Sequence, residues 1–189
     1  AKTENALFLY NRRPAECRLA AAIVNAVYRI LPPIRRLGDL PAVPEFLKVT
    51  ENPSAFVERT FNRESYTLGD IAALTCDTEE RLTEKYLMTR DGVPMPAPPD
   101  GFLIRQRTLH VLSEAGRVME SCKALARGDV TAFGALMDSS HESCDTLYGL
   151  STPELNALVT IMRRHGALGA RLTGAGFGGV AVHLGELGF

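Results

Sequence analysis

The chain has 189 residues, of which 46% are hydrophobic, enough to bury the core of one domain or of a domain with an appendage. Its formal net charge of −1 gives no electrostatic basis for binding nucleic acid or an anionic membrane, and we expect neither as a partner. Apolar runs fall short of the roughly 18 residues that cross a bilayer, and residues 1–16 are too polar for a signal peptide. Four scattered cysteines without a C-x-x-C pair indicate reduced thiols in a cytoplasmic compartment.

The first predicted helix begins near Asn11, after a short loop or strand end over residues 1–9, and Pro32-Pro33 ends it. Its apolar residues recur at helical spacing: Ala15, Leu19, Ala22, Ile23, Ala26, Val27 and Ile30. The charged residues of its first turns are predicted to be solvated: Arg12, Arg13 and Glu16.

A proline-rich connector follows over residues 31–65, with a short helical piece at residues 44–49. Two short helices are predicted over residues 68–74 and 77–86, the second opened by a capping residue and two acids. Residues 91–101 contain four prolines and form the least structured linker of the chain.

The longest helical pattern covers residues 102–126. We predict that one apolar stripe of this helix is buried: Leu103, Leu109, Leu112, Val118, Met119, Cys122 and Leu125. Arg105, Arg107, His110 and Glu114 lie on its more polar side. A single histidine on such a helix favours a packed or solvated side chain over a ligand.

Two further helices complete the helical part. One covers residues 130–148 and is capped by Asp129. The other begins at Ser151-Thr152-Pro153-Glu154, where a capping hydroxyl, a proline at the first helical position and an acid coincide, and it ends at Gly166.

Metal-ligating residue types cluster near the end of the first of these helices, at His141, Glu142, Cys144 and Asp145. Two histidines at i, i+4 spacing are absent from the cluster, so the pattern does not favour a metal site. A Cys144–His141 nucleophile pair is equally weak, because nothing in the sequence marks an oxyanion hole. We predict no metal site in this chain.

A glycine-rich stretch, Gly174-Ala175-Gly176-Phe177-Gly178-Gly179, separates two short apolar runs. It matches G-x-G-x-x-G, but the run after it reads as a strand, whereas a dinucleotide-binding fingerprint requires a helix there. A β-hairpin fits better, and its exposed amides could form a nest for phosphate oxygens. The residues alone leave two interpretations open, a phosphate-handling loop and a glycine-rich turn.

Helices outnumber strands, and the strands cluster near the C-terminal end of the sequence. This distribution predicts an α+β fold, with helices on one face of a small antiparallel sheet.

Several motifs in this order resemble the C-terminal half of the galactokinase family, within the GHMP small-molecule kinases. They are Tyr10-Asn11-Arg12-Arg13-x-x-Glu16-Cys17, Arg107-x-x-His110-Val111-x-Ser113-Glu114, Ser140-His141-Glu142-Ser143-Cys144-Asp145, Ser151-Thr152-Pro153-Glu154-Leu155 and Arg171-Leu172-Thr173 followed by the glycine-rich stretch. The connector, with Leu47-Lys48-Val49-Thr50-Glu51 and Glu80-x-x-x-x-Lys85-Tyr86-Leu87, is similar to the eukaryotic branch of the family.

The resemblance implies a ferredoxin-like GHMP kinase C-terminal domain over residues 1–189, with a helical, proline-rich insertion at 31–101 and core helices and hairpin at 102–189. It also implies ATP-dependent phosphorylation of the anomeric hydroxyl of galactose. Tyr10 would contact the sugar, and Lys2 would lie near the nucleotide. Gly174, Ala175, Gly176, Phe177, Gly178 and Gly179 would lie near the phosphates.

By the same resemblance, the catalytic aspartate and the main phosphate loop belong to an N-terminal kinase domain that these 189 residues do not include. That domain would hold most of the ATP and Mg²⁺, so we expect no catalytic residue here and no activity from this fragment alone. An N-acetylgalactosamine kinase, a non-catalytic sensor of galactose and ATP, and a plain helical interaction module remain alternatives.

Overall fold

The computed structural model describes residues 2–43, 52–89 and 91–185, with side chains from residue 8 onward. The chain divides into two compact units, Ala1–Leu112 and Ser113–Phe189. The boundary falls within one long helix, so the start of that helix belongs to the first unit and the remainder to the second.

The first unit is helical. It contains α1 (Lys2–Tyr28), a 3-10 turn (Leu37–Ala42), α2 (Pro53–Thr60), α3 (Leu68–Thr75), α4 (Glu79–Tyr86) and the start of α5 (Ile104–Ala126). Its core combines the small aliphatic face of α1 with four fully buried aromatic side chains: Phe56, Phe61, Tyr66 and Phe102. Tyr66 and Phe102 also exchange backbone hydrogen bonds of 3.0 and 2.8 Å, which close the proline-rich segment between them.

Helix α1 begins at Lys2, so the prediction of a loop or strand end over the first residues is wrong. The predicted start near Asn11 placed Pro14 in the first helical turn, where proline is favoured. The structure places Pro14 inside the helix instead. Burial of neighbouring residues such as Ala15 and Leu19 offsets the backbone hydrogen bond that a proline cannot donate.

The prediction that the charges at the start of α1 are solvated is also wrong, because Arg12, Arg13 and Glu16 are buried. Glu16 Oε1 accepts hydrogen bonds from Arg12 Nε at 2.9 Å and from the Leu103 amide at 3.0 Å. Its Oε2 accepts one from Arg107 Nε at 2.6 Å. A buried carboxylate with these partners joins α1 to the start of α5.

The second unit combines helices with a hairpin. It contains the remainder of α5, α6 (Val130–Ser143), a single π-helical turn (Cys144–Tyr148), α7 (Pro153–Arg164), β1 (Gly169–Thr173) and β2 (Val180–Leu184). Helices α6 and α7 both pack against β1. Cys144, Leu155 and Leu172 form a buried apolar cluster, with Leu150 packed against it. The predicted α+β class is confirmed.

The predicted burial of the apolar stripe on α5 is wrong for its second half. Val118, Met119 and Leu125 are each more than half exposed, and Cys122 is exposed as well. Val118, Cys122 and Leu125 line an open cavity of about 360 Å³ together with residues of α6 and β2. Their side chains therefore border this cavity rather than fill a core.

The short helices predicted at 68–74 and 77–86 are confirmed as α3 and α4, and each begins at a capping threonine, Thr67 or Thr78. The helical piece predicted at residues 44–49 lies outside the described residues. Among the residues described, none of the helices is sufficiently long and apolar to cross a membrane. The division into an insertion at 31–101 and a core at 102–189 stays a prediction.

Candidate functional site

The glycine-rich stretch forms the loop of a β-hairpin, as predicted. Strands β1 and β2 pair antiparallel from Gly169↔Leu184 to Thr173↔Val180, and residues 174–179 connect them. Five loop residues have positive φ: Gly174 (82°), Gly176 (76°), Phe177 (58°), Gly178 (120°) and Gly179 (98°). Four of the five are glycines, because residues with a Cβ rarely adopt this conformation. A loop in a turn conformation can present neighbouring backbone amides as a nest for anionic oxygen.

One side of the loop is packed and the other is open. The Phe177 amide donates a 2.7 Å hydrogen bond to the Leu150 carbonyl oxygen. A Cβ added to Gly176 would lie 2.5 Å from that same oxygen. A Cβ added to Gly174, Gly178 or Gly179 would meet nothing within 4 Å. The backbone at these three glycines is therefore accessible to a ligand, whereas Gly176 is fixed against the protein.

A polar network lies beside Leu150. The Ser151 hydroxyl donates to Asn156 Oδ1 at 2.5 Å, and Asn156 Nδ2 donates to Asp145 Oδ2 at 2.9 Å. Thr152 caps α7, and its side chain accepts the Leu155 amide. Asn156 therefore lies on the first turn of α7.

His141 is a structural residue of this unit. Its Nδ1 accepts the Leu172 amide at 3.3 Å, so the neutral ring carries its proton on Nε2. Burial lowers the pKa of His141, and the nearby Asp145 carboxylate opposes this effect only in part. The side chain thus anchors β1 to α6. Within the described part of the chain, no group of three or more His, Cys, Asp or Glu side chains is placed to hold a metal ion.

Arg171 on β1 takes part in an ion-pair cluster. Its Nη1 lies 3.5 Å from Glu114 Oε1, which also accepts the Ser140 hydroxyl at 2.5 Å, and Arg117 Nε lies 2.7 Å from Glu114 Oε2. Burial pushes the pKa of Glu114 up, but the Ser140 and Arg117 hydrogen bonds and both arginine charges bring it below its usual value. Arg171 therefore takes part in a structural ion pair.

Cys144 lacks the properties of a nucleophile. Burial raises the pKa of its thiol, and the Arg171 guanidinium opposes this only in part. A buried thiol that stays protonated is unreactive. This finding agrees with the weak sequence case for a Cys144–His141 pair.

The two side chains assigned to substrate contact belong to the first unit. Tyr10 lies on α1, and 48% of its surface is exposed, so its ring and hydroxyl are accessible. Lys2 lies at the start of α1, and its side chain is outside the described residues. The glycine loop belongs to the second unit, and its six residues are brought together as the sequence predicts.

Leu150 and Asn156 are the residues of the site that the sequence does not identify. The motif Ser151-Thr152-Pro153-Glu154 marks a helix start but gives no sign that the preceding leucine contacts the glycine loop. That contact depends on the π-helical turn, which the apolar periodicity does not distinguish from α-helix.

Comparisons with known proteins identify proteins that are similar to this chain. Residues 121–186 match the family described as GHMP kinases C terminal. A galactokinase of Dictyostelium discoideum is 31% identical over 200 residues, covering 93% of this chain and 38% of that protein. A galactokinase of Saccharomyces cerevisiae is 38% identical over 130 residues, covering 65% of this chain and 24% of that protein.

Among solved structures, the crystal structure of Lactococcus lactis galactokinase complexed with galactose matches with a TM-score of 0.58 and 27% sequence identity. The match covers 93% of this chain and 32% of the Lactococcus chain. The chain thus spans between about a quarter and two fifths of the lengths of these relatives. The chain is therefore similar to galactokinases over most of its length, and its residues 121–186 match the GHMP kinase C-terminal family.

Proposed function

We propose that the protein containing this chain is a sugar kinase that transfers the γ-phosphoryl group of ATP to the anomeric hydroxyl of galactose. The observation that carries the proposal is the glycine loop. Gly174, Gly178 and Gly179 present open backbone in a run of positive φ values, within the region that matches the kinase family. The similarity to galactokinases along 93% of the chain supports the choice of substrate.

Residues 174–179 would act on the phosphates through their backbone. Phosphoryl transfer depends mainly on positioning and on stabilisation of charge over the transferred group. Amides held in a fixed loop supply both without reorganising during the reaction. Mg²⁺ bound to the nucleotide would neutralise phosphate charge. By the family resemblance, we assign its protein ligands mainly to the N-terminal kinase domain.

The remaining roles follow the family resemblance. Tyr10 would contact the sugar, since its side chain is exposed on α1, and Lys2 would lie on the nucleotide side. We assign the catalytic aspartate and the main phosphate loop to an N-terminal kinase domain of the same polypeptide. Residues 1–189 would form the C-terminal domain, with the insertion at 31–101. Four free cysteines favour a reducing, cytoplasmic location.

The test is a steady-state phosphorylation assay with the complete protein, Mg-ATP and either galactose or N-acetylgalactosamine. We expect turnover with galactose, a clear preference for galactose in kcat/KM, and no turnover by residues 1–189 alone. Preference for N-acetylgalactosamine would instead indicate an N-acetylgalactosamine kinase. Binding of galactose and ATP without turnover would instead indicate a non-catalytic sugar sensor.

A further inference from the structure

We propose that residues 149–152, here called the platform, position the glycine loop, and that Asn156 is the positioning residue that holds the platform. The inference rests on the proposed function for its catalytic consequence, but the structural part concerns contacts within the second unit alone.

The platform has a defined conformation because the helix before it ends in a tight cap. The π-helical turn ends at Gly149, which has a φ of 69° and whose amide donates to the Cys144 carbonyl. The Leu150 amide donates to the same carbonyl oxygen at 2.9 Å. Two hydrogen bonds to one acceptor fix the direction in which the chain leaves the helix. The carbonyl oxygen of Leu150 accepts the Phe177 amide of the glycine loop.

Asn156 fixes the other end of the platform. Its Oδ1 accepts the Ser151 hydroxyl and its Nδ2 donates to Asp145, so one amide group links the platform to the π-helical turn. Thr152 caps α7 through the Leu155 amide, which restrains the platform where it enters the helix. Removing the Asn156 amide group would release Ser151 while leaving the helix cap in place.

Leu150 transmits this rigidity to the glycine loop. Its carbonyl oxygen accepts the Phe177 amide, and it lies so close to Gly176 that a side chain there would collide with the platform backbone. Phe177 has a φ of 58°, which a residue with a Cβ adopts only at an energetic cost. The hydrogen bond to Leu150 offsets part of that cost. The platform therefore holds the loop in the conformation that exposes Gly174 and Gly179.

Two alanine substitutions separate this contact from backbone strain. Gly176→Ala and Gly174→Ala introduce a Cβ at nearly equal positive φ, 76° and 82°, but only the former meets Leu150. Amide hydrogen exchange of residues 174–179 is measured in the ligand-free complete protein. We expect exchange at least about tenfold faster in Gly176→Ala than in Gly174→Ala, because a backbone acceptor cannot move aside. Equal exchange in the two variants would overturn the proposal.

Asn156→Ala tests the positioning residue, with the exposed Asn62→Ala as its control. We expect loop exchange to rise about fivefold, the effect of one lost hydrogen bond. We also expect kcat per folded molecule to fall about tenfold while KM for galactose stays within about twofold. Ser151→Ala should have the same effect. Ser151→Thr keeps the hydroxyl group and should exchange and turn over like the unmodified protein. A lower unfolding temperature with unchanged kcat per folded molecule would reduce Asn156 to a stabilising residue and overturn the proposal.

The two proposals fail in different ways. If the unmodified complete protein phosphorylates neither sugar, the proposed function fails, and the exchange comparison still decides whether the platform holds the loop. If the unmodified protein is active and the two glycine variants exchange alike, the platform proposal fails and the proposed function stands.

Discussion

Glu16 is the residue on which packing of the first unit depends most directly. Its carboxylate is fully buried and lies within 2.9 Å of Arg12 Nε and 2.6 Å of Arg107 Nε. Glu16→Gln would remove the buried negative charge that Arg12, Arg13 and Arg107 share, so we expect a loss of about 3–5 kcal/mol in the free energy of unfolding. This loss is measured by urea unfolding of the complete protein, with tryptic cleavage within α1 as the probe of the unfolded fraction.

The matched control is Glu120→Gln. Glu120 pairs with Lys123 at 2.7 Å, but both side chains are more than half exposed, so solvent screens the pair and the change should leave the free energy of unfolding nearly unchanged. Equal effects of the two substitutions would show that the buried charges of α1 are not coupled as the structure indicates.

His141 gives the second unit a dependence on pH. Burial lowers its pKa below the usual 6.5, so the unfolded chain takes up a proton at a higher pH than the folded chain does. Its contribution to stability is complete above pH 6.5 and is lost as the pH falls through the folded pKa. The charges of Asp145 and Asp138 oppose this lowering of the pKa, and that of Arg171 adds to it.

We therefore expect His141→Asn to lose less stability than the unmodified protein between pH 7 and pH 5. Its amide oxygen can still accept the Leu172 amide, yet it does not titrate. Thermal unfolding across this pH range measures the difference, with His165→Asn on the exposed surface as the control. An unchanged pH slope in His141→Asn would contradict the account of this residue.

At the scale of secondary-structure elements, the close crossing of α6 and β1 shapes the second unit. A Cβ on Gly134 of α6 would collide with the backbone of Leu168 and Gly169, and a Cβ on Gly169 would collide with Gly134. The two backbones therefore touch without intervening side chains. This close approach brings β1 near His141 and lets the hairpin pack tightly on the helix.

Two glycine-to-alanine changes on helices should have opposite signs. Gly134→Ala should destabilise the protein by about 3 kcal/mol, because neither backbone can move aside. Gly116→Ala on α5 meets nothing within 4 Å and should stabilise it by about 0.5–1 kcal/mol through helix propensity. Denaturant midpoints of the complete protein decide the signs. A stabilising Gly134→Ala would mean that the crossing is looser than the structure shows.

Sequence signals were sufficient where they were local. The start of α7 was predictable because Thr152 and Pro153 are adjacent, and the hairpin was predictable because four glycines separate two apolar runs. Glu16 was not predictable as buried, since its partner Arg107 lies 91 positions along the chain. Leu150 was missed because its contact with Gly176 arises from the π-helical turn, which leaves no periodic signal.

At the scale of the whole molecule, the described chain consists of a helical unit that carries Tyr10 and an α+β unit that carries the glycine loop. The family match at residues 121–186 lies in the second unit. Because the chain spans only 24–38% of the matched curated relatives, its contribution to catalysis would be part of a larger site. The proposed contribution is backbone positioning rather than a catalytic side chain.

The proposed function requires that the glycine loop contacts the nucleotide phosphates. Amide hydrogen exchange of residues 174–179 in the complete protein, with and without saturating Mg-ATP, tests it most directly, with α3 as an internal reference. We predict exchange slowed at least about fivefold in the loop and unchanged in α3, as expected when amides donate to a ligand. Unchanged loop exchange, under conditions where calorimetry shows Mg-ATP bound, would contradict the claim.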